Sequence, residues 1–208
     1  MDKPPFRVIG DVHAFYNQYL PLAEQAEYSV QLGDMGFHYG ELDKLDPTRH
    51  RFVPGNHDNY DKLPPHAFQS DWGQVSMGGI DFLYIRGAYS IDKARRLLGV
   101  SWWEQEQITW ESGIQLMETI QVLQPKYILS HDCPGICMDR MGKEMYFGQS
   151  ITSQILDAVL QYWQPDVWIF GHHHKDWTDT LGKTRFVCLN ILSHLDLYPE
   201  KGEMVLNG

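Results

Sequence analysis

Apolar residues come in short blocks along this chain, and four of them close on a glycine followed by a polar residue. The first runs from Phe6 to Gly10 and breaks at Gly10-Asp11, the pattern of a buried strand ending in a polar loop. Leu20, Leu22, Ala23 and Ala26 then recur at roughly helical spacing, which predicts a helix over Phe15 to Ala26. A second strand is expected from Tyr28 to Leu32, closed by Gly33-Asp34. A third and very short one is expected from Arg51 to Val53, closed by Pro54-Gly55-Asn56-His57.

Gln74 to Met77 and Ile80 to Arg86 read as a hairpin about Gly78-Gly79. Ser101 and Glu104 stand at capping-box spacing and predict a helix from about Trp102 to Gln124. Ile108, Met117, Ile120 and Leu123 are its apolar members, Gly113 weakens it and Pro125 ends it. A strand follows from Lys126 to Ser130, ending at His131, and an amphipathic helix from Ile151 to Trp163. Asp166 to Phe170 is a further buried strand, ending at Gly171-His172-His173-His174, and Thr184 to Leu189 alternates as a last one. Strands alternating with helices predict an α/β fold, in a single domain over residues 1–208. Five strands hand over to Gly, Asp or His at the carboxyl end, the edge at which open α/β sheets bind ligands.

Charge narrows the candidate partners. Seventeen Lys and Arg stand against 27 Asp and Glu, a net charge of −10 that disfavours strong, sequence-independent nucleic-acid binding. There is no basic run and no apolar stretch long enough for a membrane span, so no membrane partner is expected. The three cysteines, Cys133, Cys137 and Cys188, form no CxxC pair; the expectation is free thiols and a cytoplasmic protein. Oligomeric state is not legible.

The polar residues at the strand ends are Asp11 and His13, Asp34, Asn56 and His57, His131, and His172 and His174. Two divalent cations take about eight protein donors, fewer where positions stay open for water and substrate. Seven of these residues can supply that set, because one carboxylate can bridge. Mixed Asp and Asn oxygens with imidazole nitrogens suit manganese, iron or zinc better than calcium, and the lack of a cysteine argues against a closed structural zinc site.

Asp11-Val12-His13 and Gly33-Asp34 are weak signals alone and Gly55-Asn56-His57-Asp58 is a moderately specific one; their order is what carries weight. Asp11-Val12-His13, Gly33-Asp34, Gly55-Asn56-His57-Asp58, a strand-end His131 and Gly171-His172-His173-His174 in sequence resemble the calcineurin-like metallophosphoesterase superfamily. The resemblance implies a four-layer α/β/β/α sandwich of two mixed β-sheets flanked by helices. It implies Asp11, His13 and His174 on one metal, Asn56, His131 and His172 on the other, and Asp34 bridging both. His57 resembles the family's catalytic histidine. The implied cofactors are two divalent ions, manganese first, with iron, zinc, nickel or magnesium as alternatives. The implied reaction is hydrolysis of a phosphate mono- or diester by a hydroxide activated between the metals, with His57 as general acid. A phosphorylated small molecule or nucleotide is the expected substrate; a nuclease and a non-catalytic interaction module on the same fold are the alternatives.

Two departures from the family stand out. Ala14 occupies a position that is usually glycine, and Asp34-Met35-Gly36-Phe37 lacks the Val-Asp-Arg-Gly continuation of the protein-phosphatase branch, leaving His57 without a named orienting group. Tyr89, Ser90, Arg95, Arg96, Trp102 and Trp103 read either as a substrate-facing loop, with an arginine on phosphate, or as a helix surface over two buried tryptophans. Asp58 and Asp132 are candidates for orienting neighbouring ligands. His173 is expected to point away, Cys133 to serve packing, His194 to stay off the site, and His38, His50 and His66 to sit in solvated loops.

Overall fold

The computed structural model describes residues 4–143, 150–198 and 200–207. Four short blocks become strands buried along their whole length or nearly so: β1 (Phe6–Ile9), β2 (Tyr28–Gln31), β6 (Tyr127–Ser130) and β7 (Val167–Phe170). The remaining strands are β3 (His50–Phe52), β4 (Trp72–Met77), β5 (Ile80–Ile85), β8 (Trp177–Leu181), β9 (Thr184–Cys188), β10 (His194–Tyr198) and β11 (Glu203–Asn207). The helices are α1 (Tyr16–Glu24), α2 (Trp110–Leu123), α3 (Gly135–Arg140) and α4 (Ile151–Tyr162).

The strands form two sheets, in the orders β11-β10-β1-β2-β3 and β4-β5-β6-β7-β9-β8. Both are mixed. β1, β2 and β3 run parallel with β10 antiparallel to β1, and β5, β6, β7 and β9 run parallel between the antiparallel β4 and β8.

Side-chain alternation explains the layering. In β7, Val167 and Ile169 face the other sheet, joining Val8, Val30 and Leu32, while Trp168 and Phe170 face α4 and its Ile155, Leu156 and Val159. Ile9 and Phe52 on the far side of the first sheet pack on Tyr16, Tyr19 and Ala23 of α1. The result is the four-layer α/β/β/α sandwich. Among the described residues no helix is long and apolar enough to cross a membrane.

Several elements differ from expectation. The helix expected from Trp102 begins at Trp110, where the Thr109 hydroxyl accepts the Ser112 N–H at 3.1 Å. Ser101 instead accepts the Leu97 N–H, and Glu106 turns inward to take the Trp103 N–H at 3.2 Å, which leaves only a short turn at Glu104–Glu106. Strands β8, β10 and β11 were not expected. Their polar content hides them: β10 buries Asp196 opposite Arg7, which donates to its carboxylate at 2.7 and 2.9 Å. His50 and His66 are buried rather than solvated, His50 beside Ser29 Oγ and His66 donating to the Leu45 carbonyl, whereas His38 is exposed.

Gly113 does more than weaken α2. A Cβ there would lie 2.6 Å from Ile155 Cδ1, so its absence lets α2 approach α4 closely. Gly113→Ala should therefore lower stability by about 1–3 kcal/mol, despite the roughly 1 kcal/mol that alanine gains in a helix interior. Ile155→Val, which removes the offending methyl, should recover part of that loss in urea unfolding. A net gain in Gly113→Ala alone would show that the contact gives way.

Candidate metal centre

All eight strand-end residues meet at one edge, because the two sheets stack with the carboxyl ends of β1, β2 and β3 beside those of β6 and β7. The backbone is forced to turn sharply as it leaves each strand. His13, Ala14, Asp34, His172 and His174 have φ between +46° and +63°, five of the seven non-glycine residues with positive φ among those described. Such conformations cost of order 1–3 kcal/mol each and collect where a site demands them. Hydrogen bonds hold them: the N–H groups of Val12 and His13 donate to the Asp34 carbonyl at 3.2 and 2.7 Å, and Ala14 N–H donates to Met35 at 2.9 Å.

The side chains form two groups that share one carboxylate. Ligand atoms of Asp11, His13, Asp34 and His174 lie within 4.8 Å of one another, as do those of Asp34, His131 and His172. Asp34 Oδ1 accepts the His57 N–H at 2.6 Å and stands 3.2 Å from His131 Nε2, while its Oδ2 lies 3.7 Å from His13 Nε2. Asn56 Oδ1 faces His131 Nε2 at 3.0 Å. Asp11 Oδ1 accepts the His172 N–H at 3.0 Å, an approach made open by Gly171, where any Cβ would strike that carboxylate.

The donor set fits cations. Asp11 Oδ2 is buried and makes no hydrogen bond, although the Nε2 atoms of His174 and His13 lie 3.0 and 3.7 Å away. Those two nitrogens are themselves 2.9 Å apart. His131 Nδ1–H donates to the Leu32 carbonyl at 2.6 Å, so Nε2 is the ring nitrogen aimed inward and the one that would offer its lone pair to a cation.

Electrostatics reflect the same crowding. Burial would raise the Asp11 carboxyl, yet His13 and His174 hold it at about 2. Burial likewise opposes ionisation of Asp34, and His131 overrides it and keeps that carboxyl far below its ordinary range. His131 is lowered by burial but pushed up to about 10 by Asp34, and burial pushes His172 down to about 4. Burial, and then Asp34, raise Asp58 to about 7; its carboxylate accepts the Gly55 N–H at 2.7 Å and the Tyr39 hydroxyl at 3.2 Å.

His57 has the partner that the sequence left unnamed. The Arg96 guanidinium reaches both nitrogens of its ring, and Phe37 stacks beside it with centroids 6.3 Å apart. Burial lowers the His57 pKa and Arg96 adds to the effect, against the pull of Asp34. Arg96 is spoken for on every side: Nε meets Asp92 at 2.8 Å, and Nη1 donates to the Asn56 carbonyl at 2.9 Å. It is therefore not a free phosphate clamp, and Arg95 is exposed. Trp103 is buried and donates to Asp61 at 2.8 Å, while half-buried Trp102 lies under Lys93.

His173 turns away from its neighbours, to Cys133 Sγ at 3.2 Å and Asp132 at 3.3 Å, and burial keeps the Cys133 thiol well above its ordinary pKa. His194 lies within β10, opposite Ile9. A cavity of about 560 Å³ opens from Asp34, His57 and His172 towards Tyr89, Met138 and Asp157.

The family model of calcineurin-like phosphoesterases matches residues 4–176, and the chain belongs to that family. A curated relative, the lariat debranching enzyme of Entamoeba histolytica, is 28% identical across 80% of this chain and 55% of its own length. The chain thus spans about half of that relative. A dimetal phosphatase from Danio rerio superposes with a TM-score of 0.58 at 14% identity, covering 99% of this chain and 97% of that one. A phosphopantetheinyl hydrolase from Mycobacterium tuberculosis gives 0.52 at 14%, covering 91% and 90%. At these identities the likeness establishes a shared fold.

Ala14 carries a cost that the family's usual glycine avoids, since it is exposed and left-handed at φ +63°. Ala14→Gly should stabilise the metal-free protein by about 0.5–1 kcal/mol, the penalty relieved less the entropy glycine adds to the unfolded chain. A calorimetric Tm should rise by about 1–4 °C. A fall would mean that the Ala14 methyl makes contacts worth more than the strain.

Proposed function

We propose that this chain hydrolyses phosphoric esters at a pair of divalent cations. Asp11, His13 and His174 would hold the first, Asn56, His131 and His172 the second, and Asp34 both. The observation that carries this is the sharing of Asp34 by two compact donor groups, with an orphaned Asp11 oxygen aimed into one of them. When bound, such a pair supplies a nucleophile at neutral pH and a clamp on the phosphoryl oxygens. The nitrogen-rich donor set favours manganese, iron or zinc over calcium.

The residues have separable tasks. His131 presents a fixed tautomer because Leu32 takes its other proton. His57, held by Arg96 at the cavity wall, would give the leaving-group oxygen its proton; a depressed pKa makes the protonated form rarer but a better donor.

The cavity favours a compact substrate. Its volume suits a small molecule or nucleotide, and Asp92, Asp132 and Asp157 line it with Lys143 as the one lysine or arginine among the described lining residues. Away from the cations, that lining offers a long polyanion no further cationic footing beyond Lys143 among the described residues. The second reading, a nucleic-acid phosphodiesterase, is favoured by the lariat debranching relative and opposed by the acidic cavity and the net charge of −10. Paired nitrophenyl mono- and diester substrates separate the two ester classes. Three buried free cysteines suit a reducing, cytoplasmic setting.

Chelation should abolish hydrolysis and manganese restore it at least as well as magnesium; full activity in the chelated protein would end the two-cation reading. His57→Ala should keep its metal content while losing about 10²–10⁴ in rate, and less on a nitrophenyl ester, whose leaving group needs little protonation. Asn56→Ala should instead lose the second cation and be rescued by excess manganese. Metal loss and rescue in His57→Ala would make it a ligand or a prop.

A further inference from the structure

We infer that Glu106 is a positioning residue that orients both Asn56 and His57, through two separate arms of one buried carboxylate. The inference rests on the ligand and acid roles proposed above for those two residues.

Glu106 is 2% exposed and 50 residues along the chain from Asn56, on the short turn that precedes α2. One arm runs from Oε2 to the Ser90 hydroxyl, which donates to it. Ser90 Oγ in turn accepts the Asn56 Nδ2–H at 3.1 Å. This chain decides which way the amide points. With its NH₂ engaged by Ser90, Asn56 can only turn its oxygen to the site, where Oδ1 faces His131. Reversed, the amide would present hydrogens to a cation and could not bind it.

The other arm runs from Oε1 to Arg96 Nη1 at 3.5 Å, with the Trp103 N–H on the same oxygen at 3.2 Å. Arg96 then reaches the His57 ring and the Asn56 carbonyl. Its own side chain is only 6% exposed; Asp92 holds Nε at 2.8 Å from the outer side, and Glu106 is the carboxylate that meets Nη1 from within.

Stability alone is a poor reason for this arrangement. Burial pushes Glu106 up to about 7, against Ser90 and Arg96, which shows how much desolvation opposes the charge. A buried pair of this kind is often no more stabilising than apolar residues of the same size. What it does supply is direction, at the two adjacent residues that need it.

The test compares four variants by calorimetric titration of the metal-free protein with Mn²⁺, and by kcat on esters with good and poor leaving groups. Ser90→Ala removes the first arm outright, whereas Glu106→Gln, whose amide can still accept from Arg96 and Trp103, offers Ser90 an N–H in place of an acceptor and so unpins the hydroxyl that holds Asn56. Both should weaken the second cation about 10–100-fold, the usual cost of removing a ligand's outer partner, with the leaving-group dependence unchanged. Glu106→Ala should add a loss of up to about 10² in kcat, confined to poor leaving groups, as His57 loses its seat. Asn56→Ala is the reference.

If Asn56→Ala weakens the second cation while Ser90→Ala and Glu106→Gln bind it normally, the inference fails and the proposed ligand set stands. If Asn56→Ala binds both cations normally, ligand set and inference fall together. Should Glu106→Ala not fold, the other two variants still decide the first arm, and Arg96→Lys, with normal cation binding but a selective loss on poor leaving groups, decides the second. An Arg96→Lys protein indistinguishable from the parent would overturn that arm.

Discussion

Everything at the active edge depends on a carboxylate with nowhere else to go. Asp34 leaves β2 in a left-handed conformation, is 1% exposed, and has imidazoles of both sheets within reach. Its backbone carbonyl takes two N–H groups from the loop after β1, and its side chain takes the N–H of His57 after β3. One residue thus ties three strand ends of the first sheet while facing the second. A side chain that is buried, charged and committed in this way cannot drift without undoing the loops around it.

The strands that build this edge were legible because each is buried on both faces and then stops. Phe6–Ile9, Tyr127–Ser130 and Val167–Phe170 read as largely apolar runs and Tyr28–Gln31 as an alternating one, each followed shortly by Asp or His. What failed to read was structure held by polar pairs. Asp196 broke the pattern of β10 because its partner, Arg7, is 189 residues away. Glu106 fell inside the helix expected from Trp102 and was not singled out, because its partners, Ser90 and Arg96, lie in a loop with no periodicity of its own.

The site follows the same division. Residues that closely follow a strand end, from Asp11 to His174, drew notice by position and the structure gathers them at one edge, whereas the second circle of partners was visible only in part. Ser90 and Arg96 stood out as polar residues in a segment open to two readings, substrate-facing loop or helix surface, without any indication of which of them faced His57 and which faced Asn56. Two buried histidines, His50 and His66, were mistaken for solvated residues since a single hydrogen bond to Ser29 or Leu45 leaves no trace in sequence. Contacts distant along the chain are where a one-dimensional pattern loses its content.

The two donor groups have one further property: each draws on both sheets. Asp11, His13 and Asp34 come from the first and His174 from the second, while Asp34 is joined in the other group by His131 and His172 from the second. A cation held in either group is therefore a cross-link between the halves of the sandwich, at the end where strands stop and packing thins. The sheets could not slide apart there before the ion left. The lifetime of the folded chain would then be governed by the rate of ion departure, and a protein of modest equilibrium stability could persist for as long as its metals stay bound.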